Sequence, residues 1–155
     1  MEDDIAKLKG AALMRIVFVC LGNICRSPAA EGVMRGLAPD LTLDSAGTGG
    51  WHVGGAPYGP MQTAAAARGI DLSTLRARQF TTDDFDSFDL IIAMDRQNQT
   101  DIERLRPADN TTPVRLMADI DVPDPYYTRD FDGALDIIED AAKRLLADIS
   151  GSKAQ

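Results

Sequence analysis

The sequence has few of the features on which secreted, membrane-spanning and metal-binding proteins depend. Its 155 residues include only two cysteines and one histidine, which excludes a disulfide-rich scaffold and leaves no cluster with metal-ligand spacing. No apolar run approaches the roughly 18 residues that a membrane span needs, and residues 1–13 lack the apolar region of a signal peptide. We therefore expect a cytoplasmic protein that carries no metal.

Positive charge is also scarce, since 16 lysines and arginines face 24 acidic residues and the formal net charge is −8. Such a chain argues against nucleic acid or an anionic membrane surface as a partner. The charge is unevenly distributed along the chain, however. Residues 10–82 carry six arginines and four acids, a net of +2, whereas residues 83–140 carry five arginines and sixteen acids, a net of −11. An anion-binding site is therefore favoured in the first half.

The hydrophobic content of 45% excludes a disordered chain, and this length suits one domain with its own core. We assign residues 14–150 to that domain. Residues 1–13 alternate charged residues with single apolar ones, so we interpret them as a flexible N-terminal extension. Residues 151–155 are interpreted as a C-terminal tail.

Short apolar segments alternate with amphipathic ones along the chain. This alternation predicts an α/β fold with a parallel sheet covered on both faces, in which ligands lie beyond the carboxyl ends of the strands. The predicted strands are residues 14–21, 41–45, 88–94 and 114–117, and residues 118–129 are expected to form a loop. The predicted helices are residues 27–36, 61–68, 95–105 and 131–149, with a helical turn at residues 81–87.

The loop after the first predicted strand, CLGNICRS at residues 20–27, has the features of an anion cradle. It contains no acid, and it leads into a helix start that Ser27 would cap before Pro28. Loop amides and the positive end of the helix can converge on one anion, and Arg26 can bind two phosphate oxygens. These surroundings favour the thiolate of Cys20, which would be placed to attack phosphorus with Ser27 stabilising the sulfur.

The segment VCLGNICRSPAAE, residues 19–31, resembles the active-site signature of the low-molecular-weight protein tyrosine phosphatases. Three later segments are similar to that family in the same order: DSAGT at residues 44–48, AMD at residues 93–95 and PDPYY at residues 123–127. The resemblance implies a flavodoxin-like three-layer sandwich with a four-stranded parallel sheet. It also implies a phosphatase domain that hydrolyses phosphotyrosine in proteins without a cofactor and takes inorganic phosphate or vanadate as active-site ligands.

The resemblance assigns three catalytic roles. Cys20 would be the nucleophile that forms a phosphocysteine intermediate, and Arg26 would bind the phosphoryl oxygens and stabilise the transition state. Asp124 would protonate the departing tyrosyl oxygen and then act as base for water. Asp124 could otherwise be only a turn residue, but the flanking prolines stiffen its loop at the same sheet edge as Cys20.

Further residues are implied to shape or line the site. Asn23 and Ser45 would support the cradle by hydrogen bonds from behind, and Asn23 tolerates a left-handed backbone. Asp95 would orient Arg26, although it could equally be only a helix cap. The implied substrate-binding residues are Leu21, Gly22, Asn23, Ile24, Cys25 and Ser27 in the loop, with Trp51, Tyr126 and Tyr127 as walls of a slot for an aromatic ring.

Two further residues, Cys25 and His52, lie in or near the predicted site. Cys25 could be an inert loop residue, whereas the resemblance implies a reversible disulfide with Cys20 that protects it from further oxidation. That bond needs the two Cβ atoms within about 3.5–4.5 Å. His52 receives no catalytic role, because a lone loop histidine is more often merely exposed.

Three alternatives to phosphotyrosine hydrolysis remain open. Protein arginine phosphatases, a branch of the same family, resemble this loop but carry threonine in place of Ile24 and phenylalanine in place of Tyr126. Arsenate reduction on the same fold needs further cysteines, and none follows Cys25. A non-catalytic phosphate-binding module would need neither the nucleophile Cys20 nor the proton donor Asp124.

Overall fold

The structure is a computed structural model that describes residues 14–151, so the proposed N-terminal extension and most of the C-terminal tail lie outside it. Strands and helices alternate through the described range. Their order is β1 (Arg15–Cys20), α1 (Arg26–Leu37), β2 (Thr42–Gly47), α2 (Gly59–Ala66), α3 (Asp84–Ser87), β3 (Leu90–Ala93), α4 (Arg96–Glu103), β4 (Val114–Leu116), α5 (Pro125–Thr128) and α6 (Phe131–Gly151).

The four strands form one parallel sheet in the order β2-β1-β3-β4. The chain passes from β1 to one edge of the sheet and later returns beside β1 to build the other edge. This is the flavodoxin-like arrangement, in which ligands bind where the strand order reverses, between the carboxyl ends of β1 and β3. The predicted α/β fold with a four-stranded parallel sheet is confirmed.

Strand β1 is buried on both faces and divides the core into two clusters. Ile16 and Phe18 face the side that α1 and α6 cover, while Val17 and Val19 face the side that holds Phe80, Phe85 and Ile102. Because alternate residues of a strand point to opposite faces, the unbroken apolar run predicted a sheet covered on both sides. The helices therefore form two outer layers. Between Met14 and Gly151, no helix is long and apolar enough to cross a membrane.

Two local predictions were wrong. Helix α1 begins at Arg26, before Ser27, and no side chain caps its first turn, because the Ser27 hydroxyl is engaged with Asn23 and lies beside Cys20. The predicted loop at residues 118–129 contains the short helix α5. Asp124 caps that helix and Pro125 occupies its first turn, a start signal that the expectation of a plain loop passed over.

The two glycines of α1 differ in the space around them, and this yields a paired prediction. A Cβ at Gly32 would lie 2.5 Å from Cδ2 of Leu72 and 2.9 Å from Cγ2 of Ile70, whereas nothing lies within 4 Å of a Cβ at Gly36. Leu72 is buried in the core, so Gly32→Ala should lower the free energy of unfolding by about 1–3 kcal/mol through overpacking.

Gly36→Ala is the matched control on the same helix. It adds the same methyl group in open space, so we expect it to raise the free energy of unfolding by about 0.5–1 kcal/mol through helix propensity. Urea denaturation of both variants checks the pair. Equal stabilities of the two variants would show that α1 does not pack against Leu72 this closely.

Candidate active site

Cys20 is the last residue of β1 and lies at the bottom of a loop at the carboxyl edge of the sheet. The residue is only 3% exposed. Its sulfur lies 3.3 Å from the backbone nitrogen of Asn23, which donates to it, and 3.1 Å from Oγ of Ser27. Both groups can donate to a negatively charged sulfur, and the charge of a thiolate strengthens such hydrogen bonds.

The loop turns sharply over the end of β2. Asn23 takes up the left-handed conformation with φ of 57°, as its residue type allowed. Gly47 lies directly beneath the loop, where a Cβ would be 2.7 Å from the carbonyl oxygen of Leu21 and 3.1 Å from the backbone nitrogen of Asn23. Gly47 was not among the predicted site residues, although a glycine at the end of a strand beside a ligand loop signals a close backbone approach.

Arg26 is buried and held from three directions. Its Nη1 donates to Oδ2 of Asp95 at 2.7 Å and to the carbonyl oxygen of Val122 at 2.9 Å, and its Nη2 lies 3.5 Å from Oδ2 of Asp124. Its Nε is buried without a hydrogen-bond partner. Burial lowers the pKa of Arg26, but the charge of Cys20 and the hydrogen bond to Asp95 outweigh it and hold that pKa above its usual value.

Asp95 both caps a helix and contacts Arg26, the two roles that the sequence allowed for it. One carboxylate oxygen, Oδ1, accepts from the backbone nitrogen of Asn98 at 2.7 Å and caps α4. The other oxygen, Oδ2, holds Arg26. Since β3 and β1 are neighbours, the cap of one helix also fixes the guanidinium at the start of another.

A buried hydrogen-bond network supports the loop from behind. The side-chain amide of Asn23 donates to Oγ of Ser27 at 2.8 Å and to Oγ of Ser45 at 3.0 Å, and its Oδ1 accepts from the backbone nitrogen of Arg78 at 3.0 Å. Ser45 in turn donates to Oε1 of Glu31 at 2.8 Å. The structure therefore brings Asn23 and Ser45 together behind the loop.

Glu31 is a member of this network that the sequence reasoning missed. It is only 3% exposed and is paired with Arg35. Burial raises the pKa of Glu31, while the hydrogen bond from Ser45 and the charge of Arg35 offset part of that shift. The available signal was its spacing, because a residue four positions after Ser27 lies on the same face of the helix.

Asp124 faces the loop from a separate segment, residues 122–129. The backbone nitrogen of Val122 donates to the carbonyl oxygen of Met94 at 3.0 Å, which ties the start of the segment to the end of β3. One carboxylate oxygen of Asp124 accepts from the backbone nitrogen of Tyr126 at 3.1 Å, while the other faces Arg26. The carboxyl group is one-quarter exposed, so it lies at the mouth of the site within reach of solvent.

A cavity of about 240 Å³ opens above the loop. The exposed rings of Trp51 and Tyr127 stand at its rim, and the ring of Trp51 lies against the backbone of Gly49. His52, to which no role was assigned, lies on the wall beside Gly22. The lining residues are Cys20, Leu21, Gly22, Ile24, Cys25, Trp51, His52, Asp124, Tyr126 and Tyr127.

The two thiols of the loop differ in their surroundings. Both Cys20 and Cys25 are free and buried. Burial raises the pKa of Cys25 to about 12, with smaller contributions from the charges of Cys20 and Asp124. Cys25 therefore remains protonated near neutral pH, and the disulfide with Cys20 stays a prediction.

Comparisons with known proteins agree with this geometry. The family model "Low molecular weight phosphotyrosine protein phosphatase" matches residues 15–155. The chain is 39% identical over 154 residues to the low molecular weight protein-tyrosine-phosphatase YfkJ of Bacillus subtilis, covering 91% of this chain and 99% of the relative. The crystal structure of YfkJ matches with a TM-score of 0.84 and covers 97% of that chain.

Two further crystal structures are similar over most of the chain. A protein tyrosine phosphatase from Entamoeba histolytica is 35% identical, with 90% of this chain and 99% of that chain covered and a TM-score of 0.83. The Drosophila arginine phosphatase is 30% identical, with 86% and 96% covered and a TM-score of 0.81. The resemblance seen in the sequence is confirmed: the chain is a hydrolase and belongs to the low molecular weight phosphotyrosine protein phosphatase family.

Proposed function

We propose that the protein hydrolyses phosphotyrosine in proteins through a phosphocysteine intermediate, with Cys20 as nucleophile, Arg26 as phosphate ligand and Asp124 as general acid and base. The observation that carries the proposal is the buried Nε of Arg26, which has no partner although Nη1 of the same guanidinium is fixed at 2.7 Å by Asp95. A buried donor without a partner costs about 1–3 kcal/mol. A phosphoryl oxygen bound in the loop would satisfy it.

In the first step the thiolate of Cys20 attacks phosphorus. The S–P bond forms while the bond from phosphorus to the tyrosyl oxygen breaks, and Asp124 donates its proton to that leaving oxygen. Arg26 and the loop amides stabilise the charge on the equatorial phosphoryl oxygens. The placement of Cys20 at the bottom and Asp124 at the mouth supports an in-line displacement.

In the second step water attacks the phosphocysteine. Asp124, now a carboxylate, accepts a proton from the water, the S–P bond breaks and inorganic phosphate forms. The sulfur leaves as a thiolate, and the hydroxyl of Ser27 and the backbone N–H of Asn23 lie at 3.1 and 3.3 Å from it to stabilise that charge. Inorganic phosphate and vanadate are therefore the expected active-site ligands.

The shape of the cavity supports an aryl phosphate as substrate. Cys20 lies at its base almost without exposure, and Trp51, Tyr126 and Tyr127 stand along its walls. A phosphotyrosine ring is long enough to carry its phosphoryl group to the sulfur and gains contact with aromatic faces. A phosphoserine side chain is shorter and gains neither.

The alternatives are less well supported. Arsenate reduction would need a cysteine beyond Cys25, and the sequence has none. A non-catalytic binding module has no use for a carboxyl group such as that of Asp124, placed 3.5 Å from the phosphate-binding arginine. We also propose that the enzyme acts in the cytoplasm, a reducing compartment that keeps thiols such as Cys20 free.

Replacing the nucleophile should separate turnover from binding. In Cys20→Ser the loop amides and Arg26 remain, so hydrolysis of p-nitrophenyl phosphate should be abolished while inorganic phosphate still binds in calorimetric titration. Arg144→Ala is the control and should keep turnover, because it removes an exposed arginine of α6 that is paired with Asp140 and does not line the cavity. Full activity of Cys20→Ser would eliminate the covalent mechanism.

The loss of activity on removing the proton donor should depend on the leaving group of the substrate. In Asp124→Asn we expect kcat/KM for phenyl phosphate to fall by about 10²–10⁴-fold, the usual contribution of general acid catalysis. The loss should be smaller for p-nitrophenyl phosphate, because its leaving group departs without full protonation. Equal losses for the two substrates would argue against the acid role.

The choice between phosphotyrosine and phosphoarginine can be tested at Ile24, which lines the cavity. Ile24→Thr should raise the ratio of kcat/KM for phosphoarginine peptides over phosphotyrosine peptides by about tenfold, because one pocket contact changes such ratios by this order. Ile24→Val is the control, since it keeps an apolar β-branched side chain without the hydroxyl. An unchanged ratio in Ile24→Thr would show that this position does not discriminate.

A further inference from the structure

Arg129 has an unusual backbone conformation for its residue type. It follows α5 and has φ of 66°, in the left-handed region that favours glycine. Its N–H donates to the carbonyl oxygen of Pro125 at 2.8 Å and so closes the helix. A residue with a Cβ is strained in this conformation, so the guanidinium is held here at a cost to the backbone.

The guanidinium of Arg129 links the segment that carries Asp124 to another part of the fold. Its Nη1 donates to the hydroxyl oxygen of Tyr58 at 3.1 Å and to the carbonyl oxygen of Tyr126 at 3.2 Å. The group also lies over the rings of Tyr58 and Phe131, 5.3 and 5.2 Å from their centroids. The rings of Tyr58 and Tyr126 are themselves 5.1 Å apart.

Tyr58 is attached to the phosphate-binding loop. Its backbone nitrogen donates to the carbonyl oxygen of Ile24 at 2.8 Å. The contact between Arg129 and Tyr58 therefore connects the end of segment 122–129 with the loop that contains Cys20. The start of the same segment is held by Arg26, which donates to the carbonyl oxygen of Val122.

We propose that Arg129 is a positioning residue that acts through Tyr58 to hold Asp124 at its working distance from the nucleophile. The inference rests on the function proposed above. Asp124 lies between the two anchors of its segment, and its main-chain carbonyl accepts from the backbone nitrogens of Tyr127 and Thr128. Asp124 and α5 therefore move together when the second anchor is released. The planar guanidinium both stacks and donates, so lysine cannot replace it fully.

The experiment compares leaving-group sensitivity in the full chain. Arg129→Gly removes the guanidinium and suits the left-handed backbone, and Tyr58→Phe removes only the acceptor hydroxyl. For both variants we expect the ratio of kcat/KM for phenyl phosphate over p-nitrophenyl phosphate to fall by about fivefold or more, since small misplacements of a catalytic group are costly. Arg129→Lys should recover part of the loss, and the double variant should lose less than the product of the single losses.

Inhibition by inorganic phosphate is the second measurement. General damage to the site would weaken this inhibition, whereas displacement of Asp124 alone would not. Because the second anchor acts on Asp124 and not on Arg26, phosphate should inhibit all variants as it inhibits the unaltered enzyme. Arg144→Ala, which removes an exposed arginine of α6 paired with Asp140, is the control and should change neither quantity.

The outcomes distinguish failure of the inference from failure of the proposed function. If the unaltered enzyme hydrolyses neither aryl phosphate, the proposed function has failed. If it hydrolyses both and the ratio is unchanged in Arg129→Gly and Tyr58→Phe, Arg129 does not position Asp124. An equal loss for both substrates together with weaker phosphate inhibition would also overturn the inference, because it would show general damage to the site.

Discussion

The buried guanidinium of Arg26 is the interaction on which the arrangement of the site depends. It is the first residue of α1, yet it reaches Asp95 after β3 and the carbonyl oxygen of Val122 on a third segment. A buried cation without such partners would be strongly unfavourable, so its burial requires that these three parts of the chain come together. The same contacts leave its Nε buried without a hydrogen-bond partner. Under the proposed function, the group that holds these three segments together is therefore also the group that binds the phosphoryl oxygens.

The sequence predicted what depends on local pattern. Short apolar segments alternating with amphipathic ones were enough to predict a parallel sheet, and the acid-free stretch from Cys20 to Ser27 predicted an anion-binding loop. The site residues that were not predicted depend on tertiary contacts. Gly47 matters because the loop passes within contact distance above it, and Glu31 because α1 turns it toward Ser45. Neither relation is visible without knowing how strands and helix pack.

Some residues serve two purposes, and for these the sequence allows two interpretations without choosing between them. Asp95 has the signature of a helix cap and also the position of an arginine partner, and its two carboxylate oxygens serve the two purposes separately. Ser27 has the signature of a cap, but its hydroxyl lies between Asn23 and the sulfur of Cys20. A capping preference is worth only about 1 kcal/mol. Hydrogen bonds within a buried polar network outweigh it.

The acidic character of the protein is compatible with an anionic substrate because burial and distance separate the charges. The acids of residues 83–140 lie mostly on exposed surfaces, where salt and water screen them. The exceptions are Asp84, which is buried, and Asp95 and Asp124, which both lie beside Arg26. In the proposed mechanism Asp124 supplies the proton that the leaving oxygen requires. Under the proposed function the position of this acid decides whether the leaving oxygen receives its proton, and the contacts of Arg26 with Val122 and of Arg129 with Tyr58 hold its segment at both ends.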